Sequence, residues 1–177
     1  MSTTKLFFAG SGGQGILLMG QMIAYAAMME DKEVTFLPSY GPEMRGGTAN
    51  CTVIVSDKPI SCPLIYEADM AIVMNLPSLL KFESLVKPGG KLFSNSTLAN
   101  REPTRTDIDC FGVPADEIAS GLGNRRAANI VMLGALLAET GVVKSASVEK
   151  MLEKVFSGKK AHLLELNKKA LEAYSAK

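Results

Sequence analysis

The residues best placed to do chemistry in this chain are glycines. Gly10-Ser11-Gly12-Gly13-Gln14-Gly15 follows a short apolar run, Lys5 to Ala9, and precedes a long apolar stretch. This is the G-x-G-x-x-G pattern in a strand-to-helix setting. In it Gly10 permits a tight turn, Gly12 lets a ligand approach the backbone, and Gly15 lets helix and strand come close. Backbone N–H groups left free at a helix start attract phosphate. A dinucleotide site also needs a carboxylate about 20 residues on, at the tip of the second strand, to hold the ribose. Here that strand is expected to end at Leu37-Pro38-Ser39 with no acid at its tip, and Glu33 precedes it. The pattern therefore argues less for NAD or FAD than for another anion, or for a turn that packs internally or faces a subunit.

The second chemical stretch is Ser39-Tyr40-Gly41-Pro42-Glu43-Met44-Arg45-Gly46-Gly47-Thr48. A doubly wound fold places such a loop at the carboxyl edge of its sheet, where ligands bind. Arg45 beside Gly46-Gly47 offers a guanidinium together with backbone N–H groups, a combination that suits phosphate or carboxylate. Two blander readings weigh as much: Glu43 pairs with Arg45, or the segment is a rigid surface loop. Asn124-Arg125-Arg126 opens a long helix. Cations there oppose the helix dipole unless an acid or a ligand compensates them. The compensating group is expected to be solvent or an acid from another subunit. Asn129 lies one turn beyond Arg125, on the same face.

Other chemistries have little to work with. Cys51, Cys62 and Cys110 are the only cysteines, and no CxxC is present. Zinc ribbons and redox dithiols are thereby disfavoured. Three thiols also fall short of the four thiolates an iron–sulfur cluster takes. His162 is the sole histidine and sits among lysines, so a solvated surface residue is expected. The methionines, ten in all, read as core filler.

These groups must be held by elements legible in the hydrophobic pattern. Strands are expected at Lys5–Ala9, Val34–Leu37, Thr48–Val55, Asp69–Met74, Lys91–Ser94 and Ile108–Phe111. Pro38 is expected to end the second strand, and Ile60-Ser61 to pair with the third as a hairpin across Ser56–Pro59. Helices are expected over Gln14–Glu30, from an Asn75 cap to near Lys87–Gly90, over Asn124–Thr140 with Gly141 as C-cap, from a Ser147 cap to Phe156, and over Lys160–Ala176. Gly20 inside the first helix points to close packing. Strands alternating with helices predict an α/β fold. It is expected to be doubly wound, with a mostly parallel sheet, an added antiparallel hairpin and helices on both faces, in a single domain over 1–177.

Composition narrows the function. The chain has 177 residues, 47% hydrophobic and 21% charged, with 19 Lys+Arg against 18 Asp+Glu. Disorder needs fewer apolar residues and more net charge. Nucleic-acid binding lacks its basic footprint, and single-strand binding lacks aromatic stacking surface, since Trp is absent and aromatics are 6%. The apolar run at Leu6–Ala9 is too short for a signal peptide, and no run approaches the ~18 residues of a membrane span. A cytoplasmic location is expected.

Taken in order, Gly10–Gly15, Ser39–Gly47 and Asn129-Ile130-Val131-Met132-Leu133-Gly134-Ala135 resemble the gamma subunit of 2-oxoacid:ferredoxin oxidoreductases, from Lys5 to about Tyr174. The 2-oxoglutarate type is the expected one; pyruvate, branched-chain 2-oxoacid and indolepyruvate enzymes have similar subunits. The resemblance implies a complex that converts a 2-oxoacid and coenzyme A into acyl-CoA and CO2 and passes electrons to ferredoxin. It implies that thiamine diphosphate, Mg and iron–sulfur clusters sit in partners: alpha and beta thiamine-binding subunits and a ferredoxin-like delta subunit. This chain would bind no redox cofactor, ligate no metal and carry no catalytic residue. Gly12, Gly13, Gln14, Gly15, Arg45, Gly46, Gly47 and Thr48 become the candidates for meeting coenzyme A phosphates or a partner subunit. A stand-alone nucleotide-binding protein and a ligand-free interaction module are the alternatives.

Overall fold

A computed structural model describes residues 3–40 and 47–175, with the backbone alone at Tyr40. β1 (Thr3–Ser11) is the apolar run preceding the glycines. Its side chains divide between two cores: Leu6 and Phe8 face the larger, Phe7 and Ala9 the smaller. A strand apolar on both faces must be covered on both. After it come α1 (Ile16–Met28), β2 (Glu33–Tyr40), β3 (Thr48–Ser56), β4 (Ala68–Val73), α2 (Leu76–Phe82) and β5 (Val86–Asn95). Then follow α3 (Ser96–Ala99), β6 (Asp109–Val113), α4 (Ala115–Gly121), α5 (Ala128–Thr140), α6 (Ser145–Val155) and α7 (Leu164–Glu172). Short 3-10 turns occupy Glu83–Leu85, Arg125–Ala127 and Gly158–Leu163.

The six strands form one sheet in the order β2-β3-β1-β4-β5-β6. β1, β4, β5 and β6 run parallel, and β3 lies antiparallel to both β1 and β2. The larger core takes Met19 and Ile23 of α1, Leu133 of α5, Leu152 of α6 and Leu171 of α7. The smaller takes Leu79 of α2 and Ala99 of α3. The expected α/β architecture, doubly wound with an antiparallel addition and helices on both faces, is the one observed.

Several local expectations change. β3 pairs with β2, not with Ile60-Ser61: Glu33 faces Ser56 and Tyr40 faces Ala49. β3 then has partners on both sides, so Asp57–Glu67 has no ladder to join, and Pro59 and Pro63 cannot donate to one. β2 runs on through Pro38 to Tyr40, because an edge strand has an unpaired side on which a missing N–H costs nothing. Lys87–Gly90 opens β5 instead of closing a helix. The pairing register with β4 shifts there, and Gly89 at φ +73° absorbs the irregularity. α6 starts at Ser145 without a side-chain cap; Glu30 accepts from the Lys144 N–H at 2.8 Å instead. The last helix spans only 164–172, after a 3-10 turn that holds His162. α3 and α4 are additions that no periodicity marked.

Two expectations of detail hold. Gly141 closes α5 in the left-handed conformation at φ 58°. Gly20 lies where a Cβ would stand 2.5 Å from Cys51 Sγ, so α1 rests closely on β3.

Candidate binding site at the glycine turn

The site lies where β1 and β4 end side by side. The helix after β1 covers one face of the sheet and the helix after β4 covers the other, since α1 belongs to the larger core and α2 to the smaller. Chains that part in opposite directions leave a crevice, the switch point of doubly wound folds.

Polar side chains knit this crevice together. Gln14 Oε1 accepts from the Ser11 N–H at 2.7 Å and from Asn75 Nδ2 at 3.0 Å. Gln14 Nε2 donates to the Met74 carbonyl at 3.4 Å, and Asn75 Nδ2 also donates to Ser11 Oγ at 2.8 Å. Asn75 Oδ1 accepts from the Ser78 N–H at 3.0 Å, capping α2 as the sequence suggests. Gln14 is thus a brace between two strand ends. Asn75→Ala is expected to cost about 2 kcal/mol, the upper part of the N-cap range, because it removes the cap and the brace together. Urea denaturation checks this; a loss of only a few tenths would mean that water replaces both bonds.

The strands bring together two sequence motifs. Gly12 donates its N–H to the Gly47 carbonyl at 2.9 Å, and Ser11 pairs with Thr48 across the β1–β3 ladder. The Gly12 N–H is therefore occupied by the chain itself, which ties the glycine turn to the start of β3. Arg45 and Gly46 lie outside the described residues. Gly15 sits at φ 73° as the N-cap of α1. A Cβ there would overlap Asn129 Nδ2 and come within 3.0 Å of Asn129 Cγ. The glycine turn and the Asn129 segment are thus in direct contact, though more than a hundred residues separate them.

A second polar chain runs behind the turn, and its acid was not foreseen. Asp116, in the first turn of α4, is 7% exposed. It accepts from Arg125 Nε at 2.6 Å and from Asn95 Nδ2, also at 2.6 Å. Asn95 is fully buried and also donates to the Met74 carbonyl at 3.4 Å. The acid that compensates Arg125 thus comes from this chain, not from another subunit. A Pro followed by two acids at Pro114-Ala115-Asp116-Glu117 was the available signal for a helix start. Gly13, Gln14, Asp116, Arg125, Arg126 and Asn129 line a cleft of about 430 Å³.

The dinucleotide reading weakens further in three dimensions. β2 runs parallel to β1, so its last residue Tyr40 shares the edge with the turn while Glu33 begins at the opposite edge.

The remaining reactive groups lie apart. Cys51 is buried under Ile16, and that burial pushes its thiol up to about 12. Cys62 and Cys110 are exposed. Among the described residues, no cluster of His, Cys, Asp or Glu could hold a metal ion. His162 is exposed, with Nδ1 3.1 Å from the Lys159 carbonyl, as expected of a surface residue. In the native chain a neutral thiol reagent is expected to modify Cys62 and Cys110 within minutes and Cys51 only with unfolding, since the thiolate is the reactive form. Mass spectrometry of each peptide checks the order; early labelling of Cys51 would refute it. The same burial sets a pH dependence. The unfolded thiol ionises near the ordinary value of 9.0 and the folded one near 12, so stability is intact below pH 9 and declines as pH rises between those values.

With the geometry described, comparison with known proteins locates the chain among them. The model of the family "Pyruvate ferredoxin/flavodoxin oxidoreductase" matches residues 5–176. Ketoisovalerate oxidoreductase subunit VorA of Methanothermobacter thermautotrophicus is 39% identical over 171 residues, covering 96% of this chain and 35% of VorA. The chain therefore spans about a third of the length of that relative. 2-oxoglutarate synthase subunit KorC of Methanocaldococcus jannaschii is 35% identical over 151 residues, covering 84% of this chain and 81% of KorC. The crystal structure of a keto/oxoacid ferredoxin oxidoreductase gamma subunit from Geobacter sulfurreducens PCA matches with a TM-score of 0.80 at 32% identity, over 96% of this chain and 94% of that one. Sequence and fold agree over nearly the whole length, and the chain belongs to the pyruvate ferredoxin/flavodoxin oxidoreductase family.

Proposed function

We propose that this chain is a gamma-type subunit, a single domain, of a cytoplasmic 2-oxoacid:ferredoxin oxidoreductase. The complex converts a 2-oxoacid and coenzyme A to acyl-CoA and CO2 and reduces ferredoxin. The observation that carries this reading is the match to a gamma subunit over 94% of that subunit's length. 2-Oxoglutarate is the proposed oxoacid on the likeness to KorC, with ketoisovalerate and pyruvate, named in relatives of similar identity, as the competing substrates.

The donor set of this chain supports a division of labour. A cluster takes four thiolates, and of the three cysteines here Cys51 is closed off in the core. Thiamine diphosphate, Mg and the iron–sulfur clusters are assigned to alpha, beta and delta partners, which supply the carbanion and electron-transfer chemistry. This chain contributes a shaped surface: Gly13, Gln14 and Gly15, with Gly12 tied to Gly47 and Thr48 beside them, together with Arg45 and Gly46 that precede Gly47 in sequence, meet a partner subunit or coenzyme A phosphates. Among the described residues no helix is long and apolar enough to cross a membrane.

The test is affinity purification of the tagged full chain from its native host. Thiamine-binding and iron–sulfur proteins are expected to accompany it, with dye reduction that depends on both a 2-oxoacid and coenzyme A. A panel of 2-oxoglutarate, ketoisovalerate and pyruvate reads out the substrate, with 2-oxoglutarate fastest. A chain that purifies alone with a bound dinucleotide would overturn the proposal.

A further inference from the structure

We propose that the cleft between the glycine turn and the start of α5 is a phosphate-binding site in which Arg125, Arg126 and Asn129 are the binding residues. This deepens the reading of the glycine turn given above and rests on it for the identity of the ligand, but not for the chemistry of the cleft.

Three independent observations point to an anion. Asn129 is 6% exposed, lines the cleft, and makes no side-chain hydrogen bond among the described residues. Its amide has no protein partner among the described residues and opens onto the cleft, so its two donors suit an acceptor that arrives there. Asn129 is held in place by Gly15, where any side chain would collide with its amide. Second, Arg126 lines the same cleft and forms no ion pair among the described residues. Third, the Asp116 carboxylate in the wall does not cancel the field. Both its oxygens are engaged, one by Arg125 and the other by Asn95, which leaves the Arg126 charge in excess.

The arrangement divides the work between the two arginines. Arg125 is fixed through Nε by a buried acid that is itself braced on β5, so the rest of its guanidinium is presented at a set position. A pre-positioned guanidinium loses little freedom on binding and forks onto two oxygens of a phosphate. Arg126 is exposed and swings in as the second arm. The cations that oppose the helix dipole at the start of α5 thus gain a purpose, because a bound anion relieves both them and the unpaired amide. A phosphate fits better than a carboxylate. It carries more charge and more acceptor oxygens, and the cleft offers two guanidiniums and an amide to satisfy them.

The experiment uses the purified full chain and inorganic pyrophosphate as probe, followed by calorimetry and by amide and side-chain NMR shifts. Pyrophosphate is expected to bind and to move the Asn129 side-chain resonances, with acetate at equal ionic strength binding at least tenfold more weakly. Arg126→Gln, an exposed change that leaves the fold intact, is expected to weaken pyrophosphate binding about tenfold. Asn129→Asp, of the same shape, is expected to abolish it, with circular dichroism confirming the fold. Lys58→Gln, an exposed change just beyond the end of β3 that lies opposite the glycine turn, serves as the contrast and should leave pyrophosphate binding within twofold. Equal binding of acetate and pyrophosphate, or loss through Lys58→Gln with Arg126→Gln unchanged, would overturn the proposal. A failure to purify with thiamine-binding partners would instead count against the proposed function and leave the pyrophosphate result standing.

Discussion

Gly134→Val is expected to destabilise the chain by about 3 kcal/mol, at the top of the range for overpacking a core, and to loosen α7 from α5. Gly134 lies in the middle of α5, where glycine costs about 1 kcal/mol of helix stability against alanine. A Cβ at this position would overlap the Leu171 carbonyl oxygen and stand 2.9 Å from the carbonyl carbon. The obstructing atoms are backbone, so no rotamer change relieves them, and α7 as a whole must retreat. Leu171 and Ala170, both buried against this contact, would be pulled out of the larger core. Urea denaturation reports the loss, and limited proteolysis between Gly158 and Glu172 reports where it occurs. Gly134→Ala separates the two terms. It recovers the helix propensity yet keeps the overlap, so it is expected to be destabilising by a smaller amount. An alanine variant more stable than the parent would show that α7 yields without resistance.

The second large effect is expected at Asp116. Asp116→Ala removes the one acceptor that Asn95 and Arg125 share. Arg125 is 65% exposed along its side chain, so water takes over most of its solvation and its loss of a partner is worth at most about 1 kcal/mol. Asn95 is fully buried, and reducing its amide to the single long bond to the Met74 carbonyl costs about 1–3 kcal/mol. The sum of the two puts Asp116→Ala near 3 kcal/mol, while Arg125→Ala is expected to cost about 1 kcal/mol because Asp116 keeps its bond to Asn95. A double-mutant cycle on Asp116 and Arg125 should then give a coupling below about 1 kcal/mol. Equal losses from the two single variants would reverse the assignment and make the ion pair, not the buried amide, the source of stability.

Both predictions turn on contacts between distant segments, and that marks the limit of what local pattern reveals. The apolar runs at Lys5–Ala9 and Asp69–Met74 read as strands because each is short, apolar on both faces and bounded by turn residues. Asn75 reads as a cap because a polar acceptor precedes Pro77 at a helix start, and Gly141 reads as a stop because a left-handed residue ends a helix. Pro38 misled, since its missing N–H matters only on the side where a neighbour strand lies, and pairing order is not a local property. Ile60-Ser61 misled for the same reason: proximity in sequence to β3 favoured them over Val34–Tyr40, which stands further from it along the chain. The cleft itself was half legible. Gln14, Arg125 and Asn129 each stood out, but Asp116 did not, because nothing near it in sequence says which cation it will meet.

From the residues alone came the period of each element, the glycine turn between a strand and a helix, the shortage of thiols for a cluster, and the order of motifs that resembles the gamma subunits. These follow from local sterics, composition and chain order, which need no knowledge of what lies across the sheet. The tertiary structure decided that Gly12 is tied to Gly47, that Gly15 makes room for Asn129, and that Asp116 holds Arg125 at a cleft with Arg126 left over. Those outcomes depend on how β1, β4 and β5 are ordered and on how closely α5 approaches the turn. Hydrogen bonds and charges act over a few ångströms, so they join whichever segments the packing of apolar faces has already brought side by side.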